Sequence, residues 1–278
     1  MKTSKKAKVK SEKAMVVHPA TLKTPALGLV LFTIFCLFAT STASAQDASR
    51  ITVKPEVIDI GAFYNGTTLT ATGSVPADSE AIVRFIGTAC DLHMKERGKV
   101  GGIMWMNLDS ITFKGAPSVC LVSSAADLDR LVENGGASLK ALRLSGLERS
   151  VQVEANGGGH ENAFNEFLKL KQKEGLYRET FGNISYGSPS GGLKTFQAEV
   201  PIPSRLTPGS YKVELSVVRN GEVIARVERP VTVNLVGFPA LLAGLAFGHS
   251  ALYGILATII ALLAGLGIGL VFQGKGSH

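Results

Sequence analysis

Two continuous apolar segments frame a chain whose middle part alternates between apolar and polar residues. Residues 26–39 are apolar or small, and residues 251–272 contain no charged side chain. Between these segments, short runs of apolar and β-branched residues recur at a spacing of roughly ten residues, separated by turn-forming Gly, Pro, Asn and Asp. The pattern predicts a folded domain of short strands between a targeting segment and a membrane segment.

The predicted strands cover residues 51–60, 67–75, 80–86, 111–114, 195–201, 209–219 and 222–234. Short strands at this spacing are typical of a β-sandwich. Asn220 and Gly221 between the last two runs predict a two-residue type I′ turn. Tyr211 stands where immunoglobulin-like folds place a buried aromatic side chain, near the start of the penultimate strand. We therefore predict a mainly β protein containing an immunoglobulin-like β-sandwich.

The strand pattern is interrupted between about residues 126 and 178, where helical spacing replaces it. The most regular helix is predicted over residues 162–177. Its apolar face carries Phe164, Phe167, Leu168 and Leu176. We interpret the region as a helical insertion whose apolar face packs on the sandwich. A helix that docks a partner is the alternative.

The N-terminal region has the layout of a secretion signal. Seven lysines and one acid precede the apolar run, and Ala43-Ser44-Ala45 supplies the small residues of a signal-peptidase site. We predict a cleaved signal peptide over residues 1–45 and a mature domain over residues 46–235. An uncleaved anchor is the alternative, although the apolar run is shorter than the roughly 20 residues that span a bilayer.

The C-terminal apolar segment predicts a transmembrane helix over residues 251–272, because 22 uncharged residues are long enough to cross a bilayer. Residues 236–250 are predicted to lie at the interface and residues 273–278 to form a cytoplasmic tail. With a cleaved signal, this topology places the domain in the periplasm and the single helix in the bacterial inner membrane. Gly265 and Gly269 are spaced so that a second helix could approach closely, in a homo-oligomer or with another protein.

The positive charge of the chain is concentrated in its leader. The formal net charge is +7, but the residues after position 45 carry 22 basic and 21 acidic groups, a net charge of only +1. A nucleic-acid-binding protein needs a basic face on its folded domain. The distribution therefore excludes nucleic acid as the expected partner.

Two cysteines remain after the leader, Cys90 and Cys120. In an oxidising compartment they could form a disulfide, and two buried free thiols are the alternative. The segment from Cys90 to Met106 also contains His93, Met94 and Met104, which together resemble a soft-metal ligand set. The methionines alternate as strand residues do, which favours core packing. We predict no metal and no cofactor, and retain a metal- or redox-active protein as the alternative function.

Catalytic motifs are missing from the sequence. It contains no G-x-S-x-G, no H-E-x-x-H and no C-x-x-C. We therefore predict that the protein is not an enzyme. A basic edge is predicted instead on one hairpin, where basic residues alternate along the strand. The predicted partner contacts are Lys95, Arg97, Lys99, Trp105, Gly265 and Gly269.

Four blocks of the chain resemble a known family. They are RGKVGGIMWMNLDSITFKGAPS from residue 97, KQKEGLY from 171, GSYKVELSVVRNGEVI from 209 and VGFPALLAGLAFGHSALYG from 236. In this order they resemble the Alph_Pro_TM family of bacterial transmembrane proteins, first noted in alphaproteobacteria. The resemblance implies an exported domain, one C-terminal membrane helix and an association with anion permeases of the sulfite-exporter type. It brings no catalytic residues, and Cys90 and Cys120 depart from the family's general pattern.

These observations predict a membrane-tethered periplasmic interaction or accessory module. Its expected partners are the lipid bilayer and an integral membrane protein.

Overall fold

The computed structural model describes residues 49–133, 135–155 and 162–273. The predicted signal peptide, residues 1–45, lies outside the described residues, as do residues 274–278 of the predicted tail.

The described strands are β1 (Arg50–Lys54), β2 (Val57–Ile60), β3 (Thr67–Pro76), β4 (Glu80–Gly87), β5 (Ala89–Val100), β6 (Met104–Pro117), β7 (Cys120–Ser124), β8 (Gln152–Ala155), β9 (Tyr177–Phe181), β10 (Ile184–Tyr186), β11 (Leu193–Ile202), β12 (Gly209–Arg219) and β13 (Glu222–Leu235). The described α-helices are α1 (Leu128–Glu133), α2 (Ala137–Lys140), α3 (Ala163–Lys173), α4 (Gly237–Ala243) and α5 (Ser250–Gln273). A 3₁₀ turn covers Ser145–Arg149, and a π-helical turn covers Gly244–Gly248.

Two sheets form the predicted sandwich. One is four-stranded, in the order β1-β3-β11-β10, and the other is six-stranded, in the order β2-β13-β12-β4-β7-β9. Alternate residues on each strand point toward the opposite sheet. Their side chains make one core, with Leu69 and Phe196 from the first sheet and Phe85 and Leu215 from the second. The prediction of a mainly β sandwich is confirmed.

Two local features of β12 agree with the sequence prediction. The Tyr211 ring is buried and stacks on Phe85 with 5.1 Å between ring centroids. Its hydroxyl donates a hydrogen bond to the backbone oxygen of Thr207 at 2.7 Å, the tyrosine corner of immunoglobulin-like folds. After β12, Asn220 and Gly221 have φ values of 51° and 79°, as a type I′ turn requires.

The predicted strand over residues 51–60 is in fact two strands in different sheets. β1 pairs antiparallel with β3 in the four-stranded sheet, whereas β2 pairs parallel with β13 in the six-stranded sheet. Pro55 stands between them and has no backbone N–H, so a continuous hydrogen-bond ladder cannot pass through it. The chain uses this break to change sheets.

A second core covers the outer face of the six-stranded sheet. The face that carries Ile82 and Val122 packs against α3 and a third sheet, in the order β5-β6-β8. Phe113 of β6 stacks on Phe167 of α3 with 4.4 Å between ring centroids, and Tyr177 meets Phe167 edge-on at 5.7 Å. Strands β4 and β7 of the six-stranded sheet are therefore buried on both faces, whereas the outer face of β13 stays exposed.

The predicted helical insertion needs one correction. It contains a strand, β8, which pairs antiparallel with β6 and completes the third sheet. The apolar face of α3 is buried in the second core through Phe164 and Phe167. Helix α3 thus packs on the sandwich, as one interpretation held, and its apolar face is not free to dock a partner.

The C-terminal helices follow directly from β13. Helix α4 and the π-helical turn occupy the segment predicted to lie at the interface. Residues Ser250–Phe272 of α5 have a mean hydropathy of 2.6, and none of them is buried. By length and composition this helix is able to cross a membrane.

Candidate functional site

The β5–β6 hairpin is a long arm with a packed base and an exposed outer half. Its antiparallel pairs run from Ala89 opposite Pro117 to Val100 opposite Met104. The base is held by Phe113 in the second core, whereas every residue from 99 to 107 is exposed. The turn contains Gly101 and Gly102 at φ values of 64° and 77°, which other residues adopt only with strain.

The end of this arm, residues 97–106, is here named the hairpin tip, and it is strongly apolar. The exposed fractions of its large apolar side chains are 47% for Val100, 89% for Ile103, 63% for Met104, 67% for Trp105 and 47% for Met106. The expected core packing of Met104 and Met106 is therefore wrong. They alternate with Trp105 as strand residues do, but nothing described covers either face this far from the base.

The hairpin tip also carries positive charge. It contains Arg97 and Lys99 and no acidic residue. The Lys99 ammonium lies 5.4 Å from the centre of the Trp105 ring, within the range of a cation–π contact. Lys95 lies further toward the base on the same strand. The structure thus gathers four of the predicted contact residues on one arm.

The potential metal ligands of the segment from Cys90 to Met106 lie at distant positions along the hairpin. Cys90 pairs with Ala116, whereas Met106 pairs with Gly98. The two positions are eight residues apart along β5, which is roughly 26 Å at the rise of a strand. His93 hydrogen-bonds Thr112 through Nδ1 at 2.9 Å. Cys90 and Met106 cannot ligate one ion, so the geometry gives no support to the metal alternative.

The two cysteines differ in environment. Cys120 is buried on β7, and burial raises the pKa of its thiol to about 12. Cys90 is half-buried, with its sulfur 3.6 Å from the backbone oxygen of Ala116. Both thiols are free in the structure. The disulfide between them stays a prediction.

Sequence reasoning missed an ion pair on the outer face of the six-stranded sheet. Arg84 of β4 stands opposite Glu214 of β12, and its guanidinium donates to Glu214 Oε1 at 2.8 Å. Both side chains are at least nine-tenths buried. A signal for Arg84 was present, because it is the one charged residue in the apolar run from Ala81 to Gly87.

Arg84 and Ser216 keep Glu214 in its charged form. Burial by itself would raise the pKa of Glu214, but the charge of Arg84 and hydrogen bonds from Arg84 and Ser216 outweigh it. The net result is a pKa below the ordinary glutamate value of 4.5. The pair is therefore ionised at neutral pH.

A cleft of about 700 Å³ lies above this ion pair, between the sheet, the insertion and the hairpin base. Among its lining residues are Arg84, Glu214 and Lys212. Lys212 is paired in turn with Glu228 at 2.6 Å. The charges of Arg84, Glu214 and Lys212 are thus matched by ion pairs within the protein.

The remaining predicted contact residues lie on α5. Gly265 and Gly269 share one face of the helix, and a Cβ atom added to either glycine would meet nothing within 4 Å. No other part of the described chain covers this face.

The fold and its surfaces define a β-sandwich protein with a projecting hairpin and one apolar helix long enough to span a bilayer. Residues 50–274 match the family described as "Putative transmembrane protein (Alph_Pro_TM)", and the chain belongs to this family. The match includes the sandwich, the hairpin and α5, and it confirms the resemblance found in the sequence. A comparison with curated proteins finds no match. The family description gives a membrane location and no activity.

The ion pair generates a stability prediction. Replacing Glu214 with Gln should lower the free energy of unfolding by about 3–5 kcal/mol, because Arg84 is left buried without a counter-charge. Glu228→Gln is the matched control: its exposed pair with Lys212 should contribute less than about 1 kcal/mol. Denaturant unfolding of the full chain in detergent measures both. Equal losses in the two variants would contradict the assignment.

The same pair predicts a pH dependence. The folded-state pKa of Glu214 lies below its unfolded value, so the contribution of the pair is complete above about pH 4.5. It is lost as the pH falls through the lowered folded-state pKa. The Glu214→Gln variant should lack this part of the acid-induced loss of stability.

Thiol labelling tests the cysteine environments. In the native, unreduced protein a maleimide at pH 8 should modify Cys90 and leave Cys120 unmodified, since the Cys120 thiol is buried with a pKa of about 12. After denaturation without a reductant, both should react. Mass spectrometry of peptides gives the site. Rapid labelling of native Cys120 would contradict the structure, and failure of both thiols to react after denaturation would show a disulfide instead.

Proposed function

We propose that this chain is a membrane-tethered accessory module. Its folded domain lies on the periplasmic side of the bacterial inner membrane, α5 crosses that membrane once, and the module acts by contacting an integral membrane protein. The observation that carries the proposal is α5, an apolar helix with no buried residue that follows a complete sandwich.

The chemistry of the domain supports contact rather than reaction. Its buried charges are neutralised internally, with Arg84 paired with Glu214 and Lys171 paired with Glu174. Within the described residues, no three His, Cys, Asp or Glu side chains come together as a metal-binding group. Among the described residues, the hairpin tip and α5 expose large groups of neighbouring apolar side chains.

The charge pattern at the two ends supports the proposed orientation. The lysine-rich leader with its apolar run and Ala43-Ser44-Ala45 has the form of a secretion signal, which would carry the domain across the inner membrane. After the apolar helix, Lys275 is the only charged residue, and basic residues favour the cytoplasmic side.

The face of α5 that carries Gly265 and Gly269 suits a helix–helix contact. Small residues four positions apart let a second membrane helix approach closely, which gains van der Waals contacts. Tethering in the same membrane raises the effective concentration of the module for such a partner. We assign the partner to the transporters, specifically an anion permease of the kind that the family resemblance implies.

Site-directed labelling tests the orientation. In a Cys90→Ser background, Phe63→Cys on the domain and Ser277→Cys on the tail each provide one reporter thiol, and Phe63 is 99% exposed. A membrane-impermeant maleimide should label Cys at 63 in intact spheroplasts and Cys at 277 only after lysis. The reverse pattern would place the domain in the cytoplasm and overturn the proposed topology.

Crosslinking in native membranes tests the partner. The double variant Gly265→Leu with Gly269→Leu should lose a co-purifying integral membrane transporter, because the larger side chains hold the second helix away. Gly267→Leu is the matched control, since residue 267 lies on another face of the helix. Mass spectrometry should find the transporter in stoichiometric amounts with the original chain and the control. Recovery of this chain alone in every sample would contradict the proposal.

A further inference from the structure

The hairpin and the membrane helix leave the sandwich from the same end of one sheet. β4 and β13 both pair antiparallel with β12, so they run in the same direction. Tyr211 of β12 stands opposite Gly87 of β4 on one side and Val231 of β13 on the other. The hairpin starts two residues after Gly87, and β13 ends four residues after Val231, at Leu235. Both departures therefore occur at the end of the sheet that leads to α5.

The arm is long enough to act at a distance from the sandwich. The part of β6 beyond its pairing with β8, from Met104 to Ser110, has seven residues, which corresponds to roughly 23 Å of extended chain. The stacking of Phe113 on Phe167 fixes the base of this strand. The hairpin tip is thus carried on a supported arm rather than on a free loop.

The composition of the hairpin tip matches a lipid surface. Trp prefers the membrane–water interface, where its ring is in an apolar layer and its N–H can reach polar groups. Ile103 and Met104 offer apolar surface next to it, and Arg97 and Lys99 offer charge that complements anionic phosphate groups. Apolar side chains beside cations, with no acid among them, are the features by which peripheral elements bind anionic bilayers.

A protein partner fits the same surface less well. Specific protein interfaces use about 20–30 residues on each side. The hairpin tip has ten residues in two strands. A bilayer needs no matching pocket, and a membrane-anchored chain always has one nearby.

We propose that the hairpin tip is a second membrane contact of this protein. Trp105, Ile103 and Met104 enter the boundary between headgroups and acyl chains, and Arg97 and Lys99 bind the phosphates of anionic phospholipids. The inference rests on the membrane tether of the proposed function and does not depend on the transporter partner. Two separate contacts would fix the orientation of the sandwich on the bilayer, which a single flexible tether cannot do.

Trp105 is the only tryptophan in the chain and reports directly on its own position. The full chain is reconstituted into lipid nanodiscs containing 30% phosphatidylglycerol in phosphatidylcholine, and into discs of phosphatidylcholine alone. In the anionic discs we expect blue-shifted Trp105 emission, quenching by lipids brominated on the acyl chain and weak quenching by aqueous acrylamide. In the zwitterionic discs the lipid-quenched population should be smaller.

A charge variant with a matched control tests the role of the cations. In anionic discs, the double variant Arg97→Gln with Lys99→Gln should lower the ratio of membrane-inserted to solvent-exposed hairpin tips by about 25-fold. Each cation near an anionic surface accounts for a factor of about five. Arg130→Gln with Lys140→Gln removes the same charge from exposed positions near the opposite end of the sheet and should leave the ratio unchanged. Circular dichroism confirms that each variant is folded.

Two results would overturn the inference. Trp105 quenched by acrylamide and not by brominated lipid would place the tip in water. Blue-shifted emission without quenching by brominated lipid would place Trp105 against protein, on a second copy of the chain. Because these discs contain no transporter, neither result bears on the crosslinking of Gly265 and Gly269, and the two proposals can fail separately.

Discussion

Burial of the central strands β4 and β7 of the six-stranded sheet on both faces is the constraint on which the rest of the structure depends. Val83 and Phe85 of β4 face the sandwich core, while Ile82 on the same strand faces the second core. The insertion between β7 and β9 is therefore not an appendage, because removing it would expose an apolar sheet face to water. The same burial forces Arg84 to find its counter-charge within the protein, on Glu214.

This second core also determines what the hairpin can do. Phe113 and Phe167 stack at the base of the arm, so the inner part of the hairpin belongs to the hydrophobic core. Beyond the base, nothing in the described part of the chain covers the two strands, and the apolar side chains of the hairpin tip are exposed. Because its base is packed and its tip is exposed, the hairpin can hold Trp105 against another surface.

The chain belongs to a transmembrane family, and the buried charges of its domain are paired with each other. Both observations fit the interpretation of the protein as one that makes contacts in and at a membrane. The buried charges of Arg84 and Glu214 stabilise the fold by pairing with each other. Large apolar side chains are exposed on α5 and at the hairpin tip. Apolar surface exposed in this way is characteristic of contact with lipid or with other proteins, so the functional proposals concern contacts in and at a membrane.

The sequence by itself determined the features that depend on neighbouring residues. These are the bounds of β12, the Asn220-Gly221 turn and the apolar helix α5, each readable from local periodicity, turn chemistry or length. Tertiary structure alone decided the features that depend on distant partners. β1 and β2 separate because they pair with different strands, and β8 forms because β6 is beside it. Arg84 and Glu214 are 130 residues apart, and no local pattern encodes such a pairing. The sequence could not show that Met104 and Trp105 are exposed. Successive side chains of a strand point to opposite faces, but this alternation does not tell whether another element covers either face.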